Sequence, residues 1–159
     1  MQIEINVLES NEVAPMDLLL LADPSEELVR SYLQKGICYI AQLNNEVVAV
    51  CLIMETKVNT IEVMNLAVKE EYQNKGIGKR LLLYVIDEIK KGDTKTIEIG
   101  TGNPGVVQML LYQKCGFRIV EIDFDFFRRT HPEPIYENGI ECRDMIRMRM
   151  DLSLFPAKR

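Results

Sequence analysis

The segment from residue 61 to residue 89 leaves this chain few folds to choose from. It reads Ile61-Glu-Val-Met-Asn-Leu-Ala-Val68, then Lys-Glu-Glu-Tyr72, then Gln73-Asn-Lys-Gly76-Ile-Gly78-Lys-Arg80, and ends in Leu-Leu-Leu-Tyr-Val-Ile-Asp-Glu-Ile89. An apolar strand enters a short polar loop, and the loop narrows to two glycines separated by one residue, where a helix starts. Ile77, Leu81, Val85 and Ile89 recur every four residues and give that helix one apolar face. Lys79, Arg80, Asp87, Lys90 and Lys91 fall mostly on the other side. The first N–H groups of a helix have no intrahelical partner, point outward together, and carry the positive end of the helix dipole. Glycine lets an anion reach the backbone without meeting a Cβ, and Lys75, Lys79 and Arg80 add full positive charges. The segment predicts a phosphate or pyrophosphate site at residues 73–80.

Two common nucleotide motifs do not fit it. A P-loop needs Gly, four residues, then Gly-Lys-Ser/Thr; here Gly78-Lys79 is followed by Arg80, and position 73 is Gln. The hydroxyl that would hold Mg²⁺ is missing. A dinucleotide-binding fingerprint needs a third glycine at position 81, where this chain has Leu.

The flanking pattern also opposes a parallel dinucleotide fold. Residues 37–43, 47–56 and 62–68 read as strands joined by tight turns at Asn44-Asn45 and at 57–60, which predicts a three-strand antiparallel meander. Ile3, Ile5 and Val7 alternate as a first strand. Residues 15–22 form a short apolar helix. Asp23-Pro24-Ser25-Glu26 then opens a second helix, with Asp23 as its cap, that stops before Gly36. Gly92-Asp93 ends the long helix, and residues 96–100 make a short strand. Asn103-Pro104 opens another helix, with Val106, Val107, Leu110 and Leu111 as its apolar stripe and Gly116 as its stop. Residues 117–125 and 144–151 are two final alternating strands. Between them, residues 126–143 form a long connection expected to be functional or ordered by packing. The order β, α, α, β, β, β, α, β, α, β, β predicts one mixed sheet flanked by helices, in a single domain over residues 1–159.

Composition narrows the function. Net charge is −5 and the isoelectric point is near 5.0, against the basic balance of a nucleic-acid binder and compatible with a cationic or amine substrate. The longest apolar run, residues 47–54, has eight residues and is strand-sized, so no membrane span is expected. The start of the chain alternates like a strand and does not read as a signal peptide, which points to the cytoplasm. Cys38, Cys51, Cys115 and Cys142 form no C-x-x-C pair, and with a single histidine, His131, no metal site is expected. They read as free thiols, with Cys115 as a packing residue. Met145, Met148 and Met150 read as sheet core or a dimer contact. Glu121, Asp123 and Asp125 alternate on one strand face, a solvated face unless it meets an ammonium substrate.

Gln73-x-x-Gly76-x-Gly78, following a strand and opening a helix, resembles the acyl-CoA signature of the GNAT N-acetyltransferase superfamily. The element order over nearly the whole chain is that family's order, and residues 103–117, with Leu111-Tyr112-Gln-Lys-Cys-Gly116-Phe117, resemble its second motif. The resemblance implies an α+β, three-layer acyl-CoA N-acyltransferase fold: a mixed, mostly antiparallel seven-stranded sheet flanked by about four helices. It also implies acetyl-CoA as co-substrate. The pantetheine arm would bond the backbone of Leu66, Ala67 and Val68. Backbone amides of Gln73, Asn74, Lys75, Gly76, Ile77, Gly78 and Lys79 would hold the pyrophosphate. Asn103 would contact the pantetheine arm, and the Tyr112 hydroxyl would lie near the thioester sulfur.

Acetyl transfer to an amine needs a base for the amine, donors for the oxyanion and a proton for the thiolate. The Val68 or Leu66 N–H is the expected oxyanion donor. Tyr112 is the expected acid, since an ordinary phenol titrates near 10 and keeps its proton at neutral pH. Glu62, eleven residues before Gln73, is the expected base, either directly or through water, or else a solvent-facing strand glutamate; Asn65 is a second polar group on that strand. The expected partner is a small-molecule or peptide amine, not nucleic acid or membrane, with a homodimer as a further possibility. The alternative reading is a CoA-binding module of the same fold without turnover.

Overall fold

A strand in which every residue from Val48 to Ile53 is buried must be covered on both faces. The computed structural model, which describes residues 2–153, shows how this is done. Two compact units divide the chain, residues 1–94 and 95–159.

The first unit holds β1 (Glu4–Val7), α1 (Met16–Ala22), α2 (Glu26–Lys35), β2 (Ile37–Leu43), β3 (Glu46–Lys57), β4 (Thr60–Val68), a 3₁₀ turn (Glu70–Tyr72) and α3 (Ile77–Lys90). Its strands lie in the order β1-β2-β3-β4, each pair antiparallel. The expected meander is present. Asn44 and Asn45 both take positive φ, 53° and 65°, the turn that matches the twist of a two-residue hairpin.

The alternation of β3 sorts its neighbours. Val50 and Leu52 pack with Cys38, Ile40 and Ala67 against Leu18 and Leu19 of α1 and Val29 of α2. On the opposite face Cys51 lies beside Tyr39, whose ring meets Tyr84 of α3 edge-on, 6.3 Å between centroids. Ile77, Leu81, Val85 and Ile89 are all buried, as their spacing predicts, together with Leu82 and Ile86. Each such aliphatic side chain contributes about 1.5–3 kcal/mol by leaving water.

One cap differs from expectation. The N-cap of α2 is Ser25, whose hydroxyl accepts the Leu28 N–H at 3.3 Å; Asp23 instead ends α1 and accepts the Ser25 N–H at 2.9 Å. Both residues are good caps, and Pro24 between them leaves the nearer one to the helix.

The second unit holds β5 (Thr96–Gly102), α4 (Val106–Lys114), β6 (Arg118–Asp123), α5 (Phe126–Thr130), β7 (Ile135–Glu137), β8 (Ile140–Cys142) and β9 (Met145–Asp151). Here the strand order is β5-β9-β6, again antiparallel. The long connection is not loop: it folds into α5 and the β7–β8 hairpin, turned by Asn138 and Gly139 at positive φ. That raises the count of α-helices among the described residues to five. Met148 and Met150 are buried core.

The stripe expected on α4 is reversed. Val106, Val107 and Leu110 are exposed, and the buried side of the helix is Tyr112, followed by Cys115 at its cap. Among the described residues all four cysteines are buried free thiols. Burial pushes Cys38 and Cys142 up to about 11, and pushes Cys51 further in the same direction. No helix of the described residues is long and apolar enough to cross a membrane.

Gly36, between α2 and β2, is required by space. A Cβ there would stand 2.1 Å from the Ile53 carbonyl oxygen, backbone that cannot move without disturbing β3. Gly36→Ala is expected to destabilise the fold by about 1–3 kcal/mol, read as a lower denaturant midpoint; a midpoint equal to that of the wild type would refute the close contact.

Candidate active site

The phase of β4 is set where it meets β3. Lys69 N–H donates to the Val48 carbonyl at 2.8 Å, and the register pairs Ala49 with Val68 and Cys51 with Leu66. Backbone groups in an antiparallel ladder alternate between facing the partner strand and facing away. The N–H and C=O groups of Val68 and Leu66 therefore point to the side of β4 away from β3, while those of Ala67 engage β3. The Val68 carbonyl is reached by Gln73, whose Nε2 donates at 2.9 Å and ties the loop back to the strand.

Between these strands the register slips by one residue: Leu52 pairs with Asn65 but Ile53 pairs with Val63, so Met64 is a bulge. The extra residue brings Glu62 onto the same face as Asn65, the face covered by α1 and α2. Glu62 is half-buried there and is not a solvent-facing strand residue. It lies close enough to Tyr32 of α2 to help Asp23 hold that phenol above its ordinary value, after the larger effect of burial. Asn65 is 3 % exposed; its Nδ2 donates to the Leu19 carbonyl of α1 at 2.8 Å, and its Oδ1 is buried with no protein partner among the described residues.

The loop after β4 is built to present N–H groups. Asn74 and Gly76 both take positive φ, 63° and 81°, and Gly76 caps α3. Residues of this hand turn successive amides toward one concavity. The helix ladder begins only with Arg80 N–H donating to the Gly76 carbonyl at 3.1 Å, so the amides of Ile77, Gly78 and Lys79 precede it. A Cβ on Gly76 would meet nothing within 4 Å, so the space over the loop is open. Gln73, Asn74, Lys75, Lys79 and Arg80 are exposed and Ile77 is buried, anchoring the turn. One amide is already used: Gln73 N–H donates to the Glu70 carbonyl at 3.2 Å. The loop fits a pyrophosphate.

A network not read from the sequence steadies this loop. The Glu46 carboxylate, at the start of β3, accepts from the Lys69 ammonium and, at 3.2 Å, from the Tyr72 hydroxyl. These bonds clamp both ends of the 3₁₀ turn that leads into the glycines. The hydrogen bond from Lys69 holds the Glu46 carboxyl below its usual range, aided by Tyr72 and opposed by partial desolvation. Glu46 follows the Asn-Asn turn of a hairpin, and a lysine just past the end of the adjacent strand is the available signal.

In the second unit, Tyr112 is buried on α4. Its ring meets Phe117 edge-on at 6.4 Å, and its carbonyl accepts the Phe117 N–H at 3.0 Å. Asn103 does not cap α4; Gly105 does. The Asn103 side chain instead binds the end of the hairpin: Oδ1 accepts from Arg143 N–H at 2.8 Å and Asp144 N–H at 3.0 Å, and Nδ2 donates to the Glu141 carbonyl at 3.1 Å. Those three bonds win over a single cap bond. Asp123 and Asp125 are taken by arginines, Asp123 by Arg129 at 2.8 Å and Arg147 at 3.4 Å, and Asp125 by Arg143. His131 ends α5, half-buried against the Phe127 ring, with Nδ1 2.8 Å from the Thr130 hydroxyl.

Two outcomes follow for the loop. Gly76→Ala forces a left-handed backbone on a residue with a Cβ, at about 1–2 kcal/mol, and is expected to weaken CoA binding measured by calorimetry; unchanged affinity would sink the loop assignment. Glu46 has a depressed folded pKa, so its clamp is complete above the ordinary carboxylate range and is lost as pH falls through the depressed value. CoA affinity should accordingly fall on acidification in the wild type, and Glu46→Gln should lack that acid-side fall. Parallel acid limbs in both proteins would exclude the clamp.

Comparisons with known proteins identify the family and the fold. The family profile described as acetyltransferase (GNAT) domain matches residues 34–119. The uncharacterized N-acetyltransferase YvbK of Bacillus subtilis (strain 168) is 54% identical over 136 residues, covering 86% of this chain and 88% of that protein. A GNAT family acetyltransferase from Elizabethkingia anophelis, solved with acetyl-CoA bound, superposes with a TM-score of 0.92 at 47% identity, over 94% of this chain and 98% of that one. A Bacillus subtilis acetyltransferase solved in complex with CoA gives 0.89 at 50% identity, over 95% and 99%. The fold is the mixed seven-stranded sheet with flanking helices that these structures share. By profile, by relatives and by fold, the chain belongs to the GNAT acetyltransferase family.

Proposed function

We propose that this protein is an acetyl-CoA-dependent N-acetyltransferase in which the amine of an acceptor, a small molecule or a peptide, attacks the thioester directly in a ternary complex. The observation that carries this reading is the phase of β4 together with the loop that follows it. Outward-facing amides at Leu66 and Val68 run into a glycine turn whose amides precede a helix ladder. One continuous segment thus offers donors suited to the thioester end and the pyrophosphate end of acetyl-CoA. Relatives solved with acetyl-CoA or CoA bound support the choice of donor.

The roles follow from the chemistry. The acceptor nitrogen forms a bond to the thioester carbon, and the carbonyl oxygen gains negative charge. The Val68 N–H, or that of Leu66, is placed in the oxyanion role. As the C–S bond breaks, the Tyr112 phenol gives its proton to the departing thiolate. Glu62 takes the proton from the attacking amine, directly or through water. The buried Asn65 Oδ1 on the same face is suited to accept from an ordered water. The amides of Asn74, Lys75, Gly76, Ile77, Gly78 and Lys79 hold the phosphates, while Gln73, with its N–H on the Glu70 carbonyl and its side chain on the Val68 carbonyl, braces the loop, and Ala67 lies within the strand that binds the arm. The Asn103 side chain is occupied by the end of the hairpin and its N–H donates to the Asp144 carbonyl at 3.0 Å, which leaves its own carbonyl for the donor.

Tyr112→Phe keeps the ring in its packing against Phe117 and removes only the hydroxyl. We expect kcat to fall by about 10²–10⁴-fold with CoA affinity unchanged, measured as thiol release with a panel of amines and by calorimetry. Full activity in that variant would overturn the acid assignment. Tight CoA binding with no release from any amine would instead mark a binding module.

A further inference from the structure

The order β5-β9-β6 leaves β6 at the end of its sheet, and its outer edge faces no other strand among the described residues. An edge of this kind is normally blunted by charge or shortness. This one leaves apolar side chains in the open between its charges: Ile119, Val120 and Ile122 are 45–49 % exposed, and Phe124 just beyond is 67 % exposed. The charges on β6 are also unbalanced along its length. Arg118 stands directly opposite Arg149 of β9, a like-charge pair that destabilises a ladder, and Arg149 is only 3.7 Å from one compensating carboxylate, Glu98. At the other end sit Glu121, opposite Arg147, and Asp123.

We propose that β6 is the dimer interface, pairing antiparallel with β6 of a second copy about a two-fold axis between Val120 and Glu121. That register sets Arg118 opposite the partner's Asp123 and Ile119 opposite the partner's Ile122. An antiparallel two-fold brings the basic end of each strand to the acidic end of the other, twice, and sets a second carboxylate, the partner's Asp123, beside the Arg118–Arg149 pair that Glu98 meets only from the Arg149 side.

The bulge makes this register consistent. In a regular strand residues 118 and 123, five apart, would face opposite sides, and side chains directly opposite one another must share a face. The slip at Val120 places Arg118, Glu121 and Asp123 all on the side of Arg147 and Arg149, and places Ile119 and Ile122 on the side of Met148 and Ile146. A bulge that would ordinarily protect an edge here aligns charged with charged and apolar with apolar.

Analytical ultracentrifugation of the full chain tests the proposal, with thermal melts to show that each variant folds. The wild type should sediment as a dimer. Arg118→Asp should weaken it by at least about tenfold, because each copy then sets Asp against the partner's Asp123. Asp123→Arg should do the same by the opposite sign, and mixing the two variants should restore a dimer containing one copy of each. Should Asp123→Arg fail to fold through loss of its contacts to Arg129 and Arg147, Ile122→Lys replaces it and should also give a monomer. A wild type that is monomeric at every concentration, or a dimer indifferent to both Arg118→Asp and Ile122→Lys, overturns the assignment.

Discussion

The hydrogen bond from Lys69 N–H to the Val48 carbonyl is a small contact with large consequences. It fixes which backbone groups of β4 face β3 and which face away, because the ladder alternates and cannot be out of step at one residue alone. A slip of one position would turn the amides of Leu66 and Val68 inward and would also move Ala67 and Asn65 off the face packed against α1. Register, packing and the outward-facing amides of β4 are therefore one constraint. Lys69 serves it twice, through its backbone in the ladder and through its ammonium on Glu46.

Charge is used differently in the two units. In the first, carboxylate and phenol gather at Glu62, Asp23 and Tyr32, and burial raises the cost of ionising the phenol further. In the second, α5 and the hairpin are held by paired ions: Arg128 grips Glu141 with two bonds of 2.8 Å, and Arg143 and Arg129 take Asp125 and Asp123. Exposed pairs of this kind contribute little stability individually. Their role is geometric, since a segment with few buried apolar residues has little else to fix its path.

How much of this could be read from the residues depends on the strength of the local signal. The four-residue spacing on α3 and the Asn-Asn turn between β2 and β3 each reflect one dominant local preference, and both elements form as expected. The glycine loop was legible for the same reason. On α4 the spacing identifies an apolar face but cannot say whether the protein covers it, and Val106, Val107 and Leu110 face out. The ordering of residues 126–143 depends on Asn103, some forty residues away from Arg143, so no window of sequence contains it. The bulge at Met64 is marked by no special residue type, and without it Glu62 reads as solvent-facing.

The burial of the four cysteines bears on how such an enzyme meets its own product. Each transfer releases a thiol, and exchange or labelling requires a thiolate on the other side. At a pKa of about 11, Cys38 and Cys142 are ionised at neutral pH to only about one part in 10⁴, and Cys51 is fully buried, with its thiol pushed higher still. The folded chain is thus chemically quiet beside the coenzyme it discharges. Burial slows attack by these thiols, so a thiol-reactive dye added during turnover should report released CoA well ahead of protein.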